Sequence, residues 1–128
     1  MLAAGDTFGF DALLIAPAAI GAAIGSVARD AIVRAFRARR ARGDLGILAA
    51  NLAACAIAGF AAPLASPWTA FVVAGVAGGL STWSGLAVEV AGCMRARRWG
   101  LVALHLPGAF AAALALMLAA RAVAGGTP

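Results

Sequence analysis

Lysine is absent from this chain, and charge of any kind is scarce. Ten arginines and five acids make up 12% of 128 residues. A soluble domain is about 25% charged and about 45–50% apolar, whereas 64% of this chain is hydrophobic. That composition excludes an ordinary soluble globule. Histidine occurs once, at position 105, and only one acid, Glu89, lies deep in an apolar run. With no nucleophile–base pair to build on, an enzyme is the least favoured class. Cysteine is limited to Cys55 and Cys93, both inside apolar runs and without metal or redox spacing. They read as small core residues. No P-loop pattern offers energy coupling. The first residues carry Asp6 and Asp11 and no basic region, so no cleavable signal peptide is expected.

What is present is a series of long apolar runs. They cover about 12–33, 45–64, 68–94 and 100–120, each near the ~20 residues a membrane helix needs. The expectation is a single all-α membrane domain over residues 1–128 with four transmembrane helices. Alanine and glycine dominate the apolar set, which suits close helix packing in lipid.

The third run contains Gly78-Gly79-Leu80-Ser81-Thr82-Trp83-Ser84-Gly85. Each glycine costs a helix roughly 1 kcal/mol relative to alanine. Serine and threonine compete locally for the backbone. A broken third helix is therefore expected at Gly78–Thr82. In lipid such a break is tolerated only where it is buried in protein or lines a wet cavity.

Four polar residues outside that stretch stand out. Gly21, Gly25 and Arg29 share one face of the first helix at four-residue spacing. Arg29, beside Asp30, reads either as the interfacial end of that helix or as an arginine at a pore mouth. Asn51, the only strongly polar side chain of the second run, needs partners, from another helix or from a pore. Glu89 is a functional candidate by its depth, or a partner for Arg95, Arg97 or Arg98. His105 reads as a satisfied interior group or a proton relay.

The arginines are one-sided. The connection after the first run carries Arg34, Arg37, Arg39, Arg40 and Arg42, and the one after the third carries Arg95, Arg97 and Arg98. The opposite face has only Arg121. The loops are short, so the positive-inside rule puts both basic loops in the cytoplasm and both termini outside. Arginines placed between apolar runs fit topology and not nucleic acid, and no nucleic-acid partner is expected.

A GxxxGxxxR first helix, an asparagine in the second and Gly-Gly-Leu-Ser-Thr-Trp-Ser-Gly-Leu-Ala-Val-Glu in the third resemble the CrcB/Fluc family of fluoride channels. Its third-helix pattern reads roughly G-G-x-T-T-F-S-T-F-x-x-E. The resemblance covers essentially the whole chain, and the third-helix motif is its specific part. It implies a fluoride-selective channel in the cell membrane, built as an antiparallel dimer with passive export. It also implies a structural sodium ion held by backbone carbonyls, here those of Gly78 and Ser81. Asn51 would donate to the anion, and Ser84 could donate a hydroxyl. The family's two pore phenylalanines present ring edges to fluoride. Their positions here are Trp83 and the altered Leu86, with Gly85 in place of the intervening threonine. His105 falls at the position of the family's fourth-helix tyrosine, followed by Ala109, Phe110 and Ala113.

These departures and the one-sided arginines suggest one half of a heterodimer, paired with a paralogue of opposite orientation. The alternative is a structural or assembly subunit of such a channel. A small four-helix drug/proton antiporter is a third reading. It would need a carboxylate in the middle of the first helix, where Asp11 lies only at the start.

Overall fold

The computed structural model describes residues 12–39 and 43–125, and among them the chain is all-helical. Helix α1 spans Ala12–Ala38 and α2 spans Gly43–Ala61. A turn through Pro63 and Pro67 leads to a third rod, Ala70–Arg95, and a short turn leads to a fourth, Trp99–Gly125.

Three of these rods, Leu13–Ala38, Ala70–Arg95 and Trp99–Gly125, are long and apolar enough to cross a membrane. The second is shorter. Its 19 residues rise about 28 Å at 1.5 Å each, close to the ~30 Å hydrocarbon thickness.

The rod ends differ from the expected run ends. Helix α1 continues past Val33, so Arg34 and Arg37 sit on its last turns and not in a loop. Arg34 is tied there by an ion pair to Asp30, 2.5 Å away and one turn back. Arg40 and Arg42 lie outside the described residues. Helix α2 ends at Ala61, because Pro63 restricts the residue before it. The fourth rod runs beyond Ala120 and takes Arg121 with it.

Helix α1 and the third rod run parallel and touch backbone to backbone. A Cβ on Gly21 would collide with the Phe71 carbonyl, one on Gly25 with the Val76 carbonyl, and one on Gly79 with the Ala22 carbonyl. Gly75 sits in the same seam, 2.8 Å from its would-be Cβ to the Cα of Gly21. Small residues let membrane helices approach until dispersion across the seam is large. Helix α2 runs antiparallel to the third rod, placing Asn51 against Thr82 and Ile47 against Gly85. Gly59 gives α2 a second close seam, against Met117 and Ala120 of the fourth rod.

The buried centre is correspondingly small in volume. Ala50, Ala54, Ala77 and Leu80 form it, with Ala28, Ile32 and Ile57 packed around it. Most large apolar side chains face outward, among them Leu13, Ile24, Val88, Leu118 and Val123. In water this would be a liability; in a bilayer it is the ordinary lipid-facing surface.

Two stretches depart from α geometry. Ala70–Ala77 is π-helical and closes with the Gly78 amide donating to the Val73 carbonyl. Leu104–Gly108 is also π-helical and contains Pro107. Proline lacks an amide hydrogen and its ring crowds the carbonyl four residues back, which widens the turn.

Candidate functional site

The third rod is interrupted at two residues. Ser81 (φ −74, ψ 148) and Thr82 (φ −147, ψ 116) are extended. Gly78–Leu80 is helical, and Gly78 itself has φ −62 and ψ −42. The break is thus narrower than the expected Gly78–Thr82. The reason lies in Gly79, whose missing side chain serves the contact with Ala22. Steric room, and not backbone freedom, is what that glycine supplies.

The break is closed by side chains from three directions. The last regular bond runs from the Ser81 amide to the Ala77 carbonyl at 3.0 Å. The next amide, Thr82, donates instead to Asn51 Oδ1 at 2.8 Å. Asn51 Nδ2 donates back to the Thr82 carbonyl at 3.4 Å, and Ser81 Oγ donates to Asn51 Oδ1 at 3.3 Å. Of the two roles open to Asn51, the interhelical hydrogen bond is present.

Thr82 then restarts the helix. Its Oγ1 accepts from the Gly85 amide at 3.1 Å, the N-cap bond to the third residue of the new helix. Ser84 Oγ lies 3.2 Å from the same hydroxyl. From the α1 side, Arg29 Nη1 donates to the carbonyls of Gly79 at 3.1 Å and Ser81 at 3.3 Å.

The expected site residues therefore separate into groups. Asn51, Ser81, Ser84 and Arg29 converge on the break. Gly78 is exposed there, and a Cβ on it would meet nothing closer than 3.8 Å. Trp83 projects outward, 76% exposed, and Leu86 is half-buried. Glu89, also half-buried, forms no ion pair with Arg95, Arg97 or Arg98 among the described residues. His105 is fully buried, with Nδ1 2.9 Å from the Leu101 carbonyl on its own helix. Cys55 and Cys93 are free thiols. No group of three or more His, Cys, Asp or Glu suited to a metal occurs among the described residues. The oxygens available to a cation at this site are backbone carbonyls and the neutral side-chain oxygens of Asn51, Ser81, Thr82 and Ser84.

Two contributions were not read from sequence. Thr82, a helix breaker by residue type, is also the cap of the next helix, a role that a threonine just before an apolar helix signals. Arg29 also bonds the break through its guanidinium, a contact that neither the helix-end nor the pore-mouth reading specifies. Its position one turn beyond Gly21 and Gly25 was the available signal, since those glycines mark the face that meets the third rod.

The architecture defines a small multi-span helical membrane protein with a hydrogen-bonded polar break inside one span. Residues 16–125 match the family described as CrcB-like protein, Camphor Resistance (CrcB). The chain belongs to this family. It is 36% identical over 115 residues to a fluoride-specific ion channel FluC of Xanthomonas oryzae pv. oryzae (strain MAFF 311018), covering 81% of this chain and 85% of the relative. It is 35% identical over 114 residues to a fluoride-specific ion channel FluC of Burkholderia cenocepacia, covering 80% and 89%.

Proposed function

We propose that the chain is a fluoride-specific channel subunit that lowers cytoplasmic fluoride by passive export across the cell membrane. The observation that carries this reading is the Asn51-clamped break at Ser81–Thr82, in a chain of the CrcB family. Fluoride enters cells as neutral HF and is trapped as the anion. A negative-inside potential then drives the anion outward by ~2.3 kcal/mol per charge per 100 mV. The protein need only supply a selective path, and no enzymatic step is involved.

In this reading Asn51 and Ser84 offer polar hydrogens to the anion, and Trp83 offers a ring edge and an indole donor. Leu86 contributes no quadrupole, and His105 stands where a fourth-helix donor would. Glu89 lies at the end of the path.

A structural sodium ion fits the break. The amide that an α-helix would aim at the Gly78 carbonyl, that of Thr82, goes to Asn51 Oδ1 instead. The Gly78 surface is open, and the Ser81 carbonyl keeps a second lone pair beside Arg29. Such carbonyls are the oxygen donors a hard cation takes. A bound sodium would hold two copies of the break together and offset anion charge nearby.

The subunit works as an antiparallel dimer, and the one-sided arginines favour a paralogous partner of opposite orientation. Both termini lie outside and the arginine-rich ends face the cytoplasm. Fluoride efflux from liposomes tests the function, first with this chain alone and then with a paralogue from the same genome. Efflux from either preparation is the expected result. Efflux from neither would leave only the assembly-subunit reading. Accessibility of a C-terminal tag on intact cells tests the orientation, and a protected tag would reverse it.

A further inference from the structure

Arg29 is a half-buried cation whose hydrogen bonds among the described residues go to carbonyl oxygens. Its neighbour Asp30 pairs with Arg34 and not with it. No carboxylate meets the guanidinium among the described residues. A partly buried charge without a counterion is costly unless its hydrogen bonds are met. Both bonds of Nη1 go to backbone oxygens at the break, on Gly79 and Ser81.

Those oxygens are short of donors for a structural reason. In an unbroken helix the Ser81 carbonyl would accept from the Gly85 amide. That amide caps on Thr82 Oγ1 instead. The arginine replaces what the break removed. The glycine seam delivers it: Gly21 and Gly25 press α1 against the third rod, and position 29 lies one turn further along the same face.

We propose that the Arg29 guanidinium is a built-in cation of the break, which competes with the sodium ion for the Ser81 carbonyl. This rests on the sodium reading given above. One carbonyl oxygen can serve two partners, but two positive charges on the same oxygen repel each other at a few ångströms. Arg29 therefore satisfies the break in a lone subunit and weakens sodium binding once two subunits meet. It sets the sodium concentration at which the assembled protein gains stability.

The test is thermal unfolding of the purified, detergent-solubilised protein across a sodium titration, with choline holding ionic strength constant. Wild type is compared with Arg29→Gln, Arg29→Met and Arg29→Lys. Gln removes the charge and keeps a donor; Met keeps the aliphatic stem and serves if Gln does not fold. Removing the charge lowers the sodium midpoint by at least about tenfold, while Lys stays near wild type. A sodium response that appears only in the neutral variants would support the proposal equally. Equal midpoints in all four proteins would overturn the competition and leave the sodium site standing. No sodium response in any of them would overturn both. Fluoride efflux by wild type, measured on the same preparation, reports separately on the channel reading.

Discussion

Asn51 closes a two-bond ring on the backbone of Thr82, accepting from its amide at 2.8 Å and donating to its carbonyl at 3.4 Å. A single side chain on α2 thus takes the amide that the third rod has released and adds a donor to a carbonyl that also accepts from the Leu86 amide at 3.5 Å. An amide freed in the middle of a membrane span is left unpaired unless something replaces the ladder. Asn51 is that replacement. The same arrangement keeps the polar break at a defined place in the bundle, between α1 and α2.

Substituting Asn51 should therefore affect stability as well as conduction. Asn51→Leu leaves the Thr82 amide without its acceptor, a cost of about 1–3 kcal/mol for a buried group. Thermal unfolding in detergent should fall, and fluoride efflux should fall with it. Asn51→Asp keeps an acceptor for the amide but loses the donor to the carbonyl. Its unfolding temperature should lie between wild type and Asn51→Leu.

The two glycines of the break should respond in opposite ways to alanine. Gly79→Ala drives a methyl into the Ala22 backbone, an overpacking cost of about 1–3 kcal/mol or more. Gly78→Ala meets open space in a helical conformation. It should be neutral or should stabilise the fold by about 0.5–1 kcal/mol. Unfolding temperatures of the two variants, measured side by side, check this. A destabilised Gly78→Ala would mean that another surface covers that position, as a second copy of the break would.

Thr82→Ala removes the N-cap of the Trp83–Arg95 helix and should cost about 1 kcal/mol. Thr82→Ser keeps the oxygen that accepts from Gly85 and should recover most of that loss. Amide exchange at Gly85 reads the effect locally: protection drops in the alanine variant and returns in the serine variant.

Arg97 sits in the turn between the third and fourth rods with φ 54. The turn closes with the Arg98 amide donating to Cys93 at 2.9 Å and the Arg97 amide to Met94 at 3.0 Å. This is the helix ending at which glycine is ordinarily found. A side chain in the left-handed region costs about 1–2 kcal/mol. Arg97→Gly should therefore raise the unfolding temperature. On the orientation proposed above, the same variant should also weaken the topological bias in a tag-accessibility assay.

Composition and the spacing of apolar runs were enough to indicate an all-helical membrane chain with four rods. Lipid demands that backbone bonds be met within the segment, so a long apolar run has few alternatives to a helix. The Gly-Gly-Leu-Ser-Thr-Trp-Ser-Gly stretch also announced its interruption, because those residue types favour local bonds over the ladder. Sequence puts the departure from the helix at Gly78–Thr82, and the structure narrows it. Gly78 and Gly79 have the weakest helix preference of the stretch, yet both are helical, and the extended residues are Ser81 and Thr82.

Partners across the bundle decided that. Ala22 presses on Gly79, Asn51 takes the Thr82 amide, and Arg29 takes the carbonyls of Gly79 and Ser81. These contacts join residues 31 to 57 positions apart, beyond the reach of any local pattern. Periodicity can name the face on which Arg29 lies, but which carbonyl it meets depends on the register of one helix against another. That register is set by the glycine seam between α1 and the third rod, and it exists only once the helices are packed.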